Sequence, residues 1–473
     1  MASKSTMRTA RTTPDTETAK EIWSGIRKPV PGLLLAWAHP GTATIDRCQI
    51  SGTLSVGRGK EADVRLRDER LSRVHFIVTQ NEKETNIRDN DSTNGTFLNG
   101  SRLESTTALQ NGSVIRAGRA VFVYMEDAVH FLEPPPAERF DMAGSFHTGH
   151  IIRRLNETVA SERHIMLAGP TGSGKELAAK AVSEMYARKH SRKSAIITHN
   201  AARYSSEEEA ASSIFGIQSK SFSGVAARPG LIEQAEGGVL FLDEIHNLPL
   251  RVQRTLLRFV EDGVLTRIGA TSSRKIELLL VLATNIDINS EQAHQMIAND
   301  LLGRLRIENI PSIDERIADV PAIFNHIIEQ RTQSAGLAPD IFKDTLSSDC
   351  YEAMCLNSHN GYGIRDLVDL ADRLITKVVT GTDPASAVSE TFSERFSGRW
   401  TKEPLEQIKN GTGEPSSYEE NRHTIIALYR ECGGNLSELE KQLKSQGISC
   451  SRRWLAEYLD KWGERKARRS KKD

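Results

Sequence analysis

Gly169-Pro170-Thr171-Gly172-Ser173-Gly174-Lys175-Glu176 carries more information than any other segment of this chain. It follows an apolar run, Ile165-Met166-Leu167-Ala168, and opens a helix-like run from Leu177 to Arg188. Strand, glycine-rich bend and helix in that order make a phosphate-binding loop. Glycines let the backbone aim its N–H groups at phosphate oxygens, Lys175 adds positive charge, and the helix adds the positive end of its dipole. Downstream, Gly238-Val-Leu-Phe-Leu-Asp243-Glu244 reads as a buried strand ending in two carboxylates. Asp243 suits magnesium, directly or through water, and Glu244 suits orienting an attacking water. The pair points to nucleoside triphosphate hydrolysis with ATP and Mg2+.

At 473 residues the chain has room for two to four domains, taking about 150 residues for each. Lys plus Arg and Asp plus Glu both number 62, so the net charge is zero and any nucleic-acid surface must be local. No apolar run approaches the ~20 residues that span a bilayer. The polar N-terminus lacks a signal-peptide core, so a cytoplasmic protein with no membrane partner is expected. Cysteines 48, 350, 355, 432 and 450 are scattered and complete no metal set, which reads as reduced thiols.

Composition divides the chain. Residues 1–28 read as a disordered tail rich in Ser, Thr and charge. Residues 29–127 read as short strands separated by turns at Asn94-Gly95, Asn99-Gly100 and Asn111-Gly112, an all-β sandwich. Residues 128–143, with Glu133-Pro134-Pro135-Pro136, read as a stiff linker. Strands alternate with helices over 144–312, predicting a parallel sheet. The pattern is helical over 313–380, linker-like over 381–417, and helical again over 418–473. The expected fold class is multidomain.

Within the β region stand Gly57-Arg58, Ser72-Arg73-Val74-His75 and Asp91-Ser-Thr93-Asn94-Gly95-Thr96. Arginine forks and short hydroxyls at loop ends suit charge-assisted bonds to a phosphate. The set resembles the forkhead-associated (FHA) domain. The resemblance implies that Arg58, Ser72 and Thr93 contact phosphothreonine, that Arg73 and Asn94 engage the rest of the peptide, and that His75 braces the loops.

Gly230 to Gly263 is a long match to the AAA+ domain of bacterial enhancer-binding proteins, which activate sigma-54 RNA polymerase. The resemblance covers about 144–378 and implies an α/β ATPase with a helical lid. Gly169, Thr171, Gly172, Ser173, Gly174, Lys175 and Glu176 would line the nucleotide, with Glu176 standing where many phosphate loops carry Ser or Thr. Asn200 resembles the asparagine that restrains the catalytic glutamate. Thr284 and Asn285 resemble sensor I, and Arg365 resembles the sensor II arginine of the lid. Arg304 corresponds to an arginine finger offered to a neighbouring subunit, which implies a homo-oligomeric ring, by resemblance a hexamer.

Two positions depart from the family. Its polymerase-contacting loop reads Gly-Ala-Phe-Thr-Gly-Ala; here it is Lys220-Ser221-Phe222-Ser223-Gly224-Val225, so Phe222 and Ser223 are the candidate sigma-contact residues. A Phe-Arg pair is replaced by Ile297-Ala298, which removes one of two trans arginines and predicts reduced hydrolysis. The FHA-like region replaces the usual single-aspartate receiver and implies an upstream Ser/Thr kinase.

Residues 421–462 hold three short amphipathic segments, the second started by an Asn435/Glu438 capping pair. They resemble a Fis-type helix-turn-helix, which implies that Ser451, Arg452 and Arg453 enter the DNA major groove. A basic tail suits phosphate contact.

The sequence therefore predicts an ATP-hydrolysing, DNA-binding regulator of the sigma-54 activator type, controlled by a phosphothreonine protein. Two alternatives stay open: a DNA-bound AAA+ regulator that does not contact sigma-54, and a phosphopeptide scaffold with a decayed ATPase.

Overall fold

The computed structural model describes residues 28–396, apart from 44, 83, 219–226, 358 and 360–361, and part of 425–459. The chain divides into two units, 1–402 and 403–473.

The first unit opens with eleven strands. They are β1 (Gly32–Ala38), β2 (Arg47–Gln49), β3 (Thr53–Gly57), β4 (Val64–Arg65), β5 (Phe76–Gln80), β6 (Thr85–Asp89), β7 (Thr96–Leu98), β8 (Ser101–Arg102), β9 (Thr107–Ala108), β10 (Val114–Ala117) and β11 (Ala120–Met125). One sheet has the order β2-β1-β11-β10-β7-β8 and the other β4-β3-β5-β6-β9. Alternation puts Leu33, Val56, Phe76, Val78, Ile87, Ile115 and Phe122 between the sheets. Phe76 meets Phe122 edge to face at 5.6 Å. The two-residue turn Asn99-Gly100 has φ of 50° and 82°, the left-handed pair that matches the strand twist of a tight hairpin.

The second part of this unit is an α/β layer. Strands β12 (Ile165–Ala168), β13 (Ile196–Asn200), β14 (Val239–Asp243), β17 (Leu279–Thr284) and β18 (Arg306–Asn309) form a parallel sheet in the order β13-β14-β17-β12-β18, and β15 (Val264–Thr266) pairs with β16 (Ser273–Lys275) as a separate hairpin. Helices α1 (His147–Ala160), α2 (Lys175–Lys189), α3 (Glu207–Phe215), α4 (Leu250–Asp262), α5 (Glu291–Met296) and α6 (Asn299–Arg304) belong to this layer. Strands β12, β14 and β17 are buried along almost their whole length, the pattern of a parallel sheet covered on both faces. The lid follows as α7 (Val320–Ser334), α8 (Ser348–Leu356) and α9 (Ile364–Val379).

The structure differs from expectation on either side of the α/β layer and its lid. Residues 381–417, read as linker, begin with a helix, α10 (Pro384–Arg395). Asp383 accepts bonds from the amides of Ala385 and Ser386, Pro384 sits in the first turn, and Phe392 and Phe396 are buried with the lid. Cap and proline are present in the sequence but hidden among neighbouring Gly and Thr. Residues 128–143, read as a stiff linker, also join the packing: Ala128 and Phe131 belong to a core shared with the lid.

That core joins the sandwich to the lid. Leu34, Val114, Val121 and Val123 point away from the sandwich interior and pack with Phe324, Ile328, Met354 and Leu370.

In the second unit α11 (Leu436–Ser445) starts at Asn435, whose side chain accepts the amides of Ser437 and Glu438. Leu439 and Leu443 pack with Ile425, Leu455 and Leu459. The tail 1–27, Phe222, Ser223, Ser451, Arg452 and Arg453 lie outside the described residues. Among the described residues no helix is long and apolar enough to cross a membrane, and no group of three or more His, Cys, Asp or Glu side chains is arranged to hold a metal.

Candidate functional site

The phosphate loop bends at the end of β12, where a parallel sheet presents its ligand edge. Gly172 and Gly174 take φ of 74° and 96°, which other residues adopt only with strain. Close approach also demands glycine at 172: an added Cβ would lie 2.1 Å from the carbonyl oxygen of Tyr362 in the lid. The Ile364 amide donates to the Gly172 carbonyl at 2.9 Å, tying α9 to the loop.

Lys175 is only 8% exposed. Its ammonium donates to the carbonyls of Gly169 and Pro170 at 2.7 and 3.0 Å. Burial pushes its pKa down, Asp243 and Glu244 pull it back up, and nearby Arg365 adds to the lowering. The charges of Asp243, Glu244 and Arg365 are thus near enough to act on the Lys175 ammonium. Glu176 is exposed in the first turn of α2, where its charge suits the helix dipole.

Asp243 closes β14 and its carboxylate accepts the Glu244 amide at 2.8 Å. Glu244 has φ 53° and ψ 45°, a left-handed conformation unusual for glutamate. Such strain persists only where surrounding structure enforces it, and it concentrates at functional sites. Asn200 lies opposite Asp243 in the sheet register. Its side-chain oxygen accepts the Ala202 amide. The amide that donates to the Glu244 carboxylate belongs instead to Asn247, at 3.1 Å. The sequence reading missed Asn247; its only signal is its position one short turn after the glutamate.

Thr284 ends β17 fully buried, and its hydroxyl contacts His246 at 3.1 Å. Asn285 donates to the Thr171 hydroxyl at 3.2 Å, so the sensor-like pair touches the phosphate loop directly. Arg304 stands apart: its side chain is 62% exposed and pairs with Glu261.

A cavity of about 380 Å3 opens beside the loop, lined by Phe140, Met142, Leu177, Ile323, Ile364 and Val368. Arg316 also lines it, 2% exposed, donating to the Ser173 carbonyl at 2.7 Å. Its Nε and the Ser173 hydroxyl have no hydrogen-bond partner among the described residues. Arg316 was not foreseen, because an isolated arginine between two subdomains has no local pattern. Nearby Asp319 caps α1 through the amides of Ser145, Phe146 and Thr148.

At one end of the sandwich Arg58, Ser72, Arg73, Thr93 and Asn94 come together. The amides of Arg58 and Gly59 donate to the carbonyls of Ser72 and Arg73. The Ser72 hydroxyl accepts the Thr93 amide at 3.1 Å and lies 3.5 Å from the Thr93 hydroxyl. Arg58 and Arg73 are exposed. His75 is fully buried; its Nδ1 accepts the Ser72 amide and its Nε2 donates to the Gly95 carbonyl, so one neutral ring ties two loops. Burial lowers its pKa and keeps it neutral. The Asn94 amide donates to the Arg70 carbonyl at 2.6 Å, bracing a neighbouring loop.

With these geometries in hand, the chain matches the sigma-54 interaction domain family over residues 143–311 and the FHA domain family over residues 54–118. It is 32% identical over 228 residues to the DNA-binding transcriptional regulator NtrC of a Bradyrhizobium strain, covering 47% of this chain and 45% of that protein. Four such relatives are matched over only 41–47% of their own length. Among solved structures, NtrX from Brucella abortus in complex with ADP is 22% identical with a TM-score of 0.45, covering 69% of this chain and 70% of that one. A structure from a study of phosphothreonine-dependent FHA domain interactions is 29% identical with a TM-score of 0.18, covering 20% of this chain and 95% of that one. The chain thus carries an FHA domain and a sigma-54 interaction domain, and is homologous to sigma-54-dependent transcriptional regulators.

Proposed function

We propose that the protein is a cytoplasmic, ATP-hydrolysing, DNA-binding transcriptional regulator of the sigma-54 activator type, governed by recognition of a phosphothreonine protein. The observation that carries this reading is the phosphate loop itself, where Lys175 sits buried on the Gly169 and Pro170 carbonyls and Asn285 donates to Thr171, with Asp243, Glu244 and Arg365 near enough for their charges to act on Lys175. The cavity suits a flat base, and the partnerless Arg316 Nε and Ser173 hydroxyl suit a polar ligand.

Lys175 and the loop amides would hold the triphosphate. Asp243 would offer a carboxylate to Mg2+, an ion that takes most of its ligands from phosphate and water. When bound, Mg2+ would neutralise charge on the phosphates. Glu244 would orient the attacking water, with Asn247 holding its carboxylate until the site is filled. Arg365, carried by the lid, would lie against the phosphates, and Arg304 would serve the next subunit of a hexameric ring. Arg58, Ser72 and Thr93 would bind phosphothreonine, with Arg73 and Asn94 on the flanking peptide. Ser451, Arg452 and Arg453 would read DNA, and Phe222 and Ser223 would meet the sigma factor.

The test is ATP hydrolysis by the purified full-length chain. Lys175→Ala should lower kcat/KM at least ~100-fold, whereas Glu244→Gln should retain ATP binding and lose turnover. Mixing Lys175→Ala with Arg304→Ala subunits should recover activity that neither has alone. Turnover equal to that of Lys175→Ala would instead support the phosphopeptide scaffold. A second reading, a DNA-bound regulator with no sigma-54 contact, is favoured by Lys220 in place of the loop's first glycine. Absence of ATP-dependent promoter opening with sigma-54 polymerase would select it.

A further inference from the structure

One lid helix, α8, touches the phosphopeptide domain at its start and the surroundings of the phosphate loop at its end. On the sandwich side, the Ser348 hydroxyl donates to the Gly118 carbonyl at 2.9 Å. The Tyr351 ring stacks on Trp37 with centroids 4.4 Å apart. Glu352, 4% exposed, uses both carboxylate oxygens: one accepts the Gly100 amide at 3.1 Å, the other accepts Arg116 Nε at 2.5 Å.

Those two partners flank the strand that leaves the phosphothreonine loop. Thr93, Asn94 and Gly95 lead straight into β7, and β7 ends at the Asn99-Gly100 turn. Arg116, opposite Phe97 in the sheet register, lays its guanidinium over the Phe97 ring at 3.8 Å. A three-residue strand therefore separates the phosphate-reading loop from Glu352.

At its far end α8 reaches the nucleotide side. Asn357 and His359 both contact the Asp366 carboxylate, at 3.4 and 3.0 Å. Asp366 adjoins Arg365, and Ile364 holds the Gly172 carbonyl. Cys355 contacts the Ile317 carbonyl, next to the Arg316 that grips Ser173.

We propose that α8 is a strut coupling the two phosphate sites, so that occupancy of the phosphothreonine loop and of the nucleotide loop change each other's affinity through Glu352. This rests on the functional reading given above. A loose tether would leave the two sites independent. Here the contact is a packed core with a buried ion pair, and such interfaces shift as units rather than yielding continuously. Any ligand that reseats the lid against the phosphate loop must carry α8, and Glu352 must then carry β7 and β10 or let go of Arg116.

Coupling of this kind is reciprocal. The experiment uses the full-length chain, a degenerate phosphothreonine peptide pool and a slowly hydrolysed ATP analogue with Mg2+. Each Kd is measured alone and then with the other ligand saturating. Each Kd should move at least about fivefold, by one shared factor. Glu352→Gln and Phe97→Leu should each bring that factor below about twofold, while each Kd measured alone stays within about twofold of wild type. Phe97→Leu removes only the ring beneath Arg116, so it answers if Glu352→Gln fails to fold. Two ligands that bind with unchanged affinities overturn the coupling and leave the functional reading intact. A coupling factor undiminished in both variants overturns the route through Glu352. Failure of either ligand to bind removes the functional reading, and the coupling with it.

Discussion

The two sheets of the amino-terminal sandwich share one inner face and have opposite outer ones. In β5, Phe76 and Val78 point inward and are buried, while Ile77 and Thr79 point outward and are only half-buried. In β10 and β11 the alternation is the same, but Val114, Val121 and Val123 on the outer side are as buried as Ile115 and Phe122 on the inner. A half-solvated antiparallel strand alternates in polarity, whereas a strand covered on both faces is apolar throughout. The run Ala120-Val121-Phe122-Val123-Tyr124 is of the second kind. The sandwich is therefore a wall of the lid's own core.

Putting a charge on the two outer faces gives the sharpest contrast. Val121→Asp should cost more than about 4 kcal/mol by urea unfolding of the full chain, because it buries an unpaired carboxylate. Thr79→Asp, on the solvated sheet, should stay within about 0.5 kcal/mol of wild type. Equal losses would mean that the two faces are alike.

A step smaller is the buried pair. Glu352→Ala leaves Arg116 charged and unpartnered and should cost about 3–5 kcal/mol. Arg116→Met combined with Glu352→Leu should recover most of that loss. A double mutant no better than Glu352→Ala would show that the pair matters for more than its charge balance.

The least expected loss is that of Tyr351→Phe. It removes the hydroxyl that donates to Asn325 at 2.5 Å and keeps the stack on Trp37. About 1 kcal/mol should go; a loss above ~3 kcal/mol would place the hydroxyl at the centre of the interface rather than its edge.

Motifs that act within a few residues of chain are legible in the amino-acid order itself. Lys175 and its glycines have a local spacing that suits a backbone cradle for phosphate, Asp243-Glu244 end a buried apolar strand, and Ser72 and Thr93 each lie in a short loop pattern. In the fold Lys175 donates to the Gly169 and Pro170 carbonyls, and the Ser72 hydroxyl accepts the Thr93 amide. Helix α10 is hard to read because Asp383-Pro384, a sound helix start, stands among residues that also punctuate loops. Arg316 and Asn247 leave no pattern because their partners, Ser173 and Glu244, choose them by position in space.

Local chemistry alone nominated the residues proposed to meet phosphate, since hydrogen-bond geometry over a short loop depends little on the remaining chain. The docking of sandwich on lid was settled by packing alone. Arg116 and Glu352 are 236 residues apart. Only burial of apolar area on both sides of one sheet brings such distant side chains to hydrogen-bonding distance and makes their separation costly.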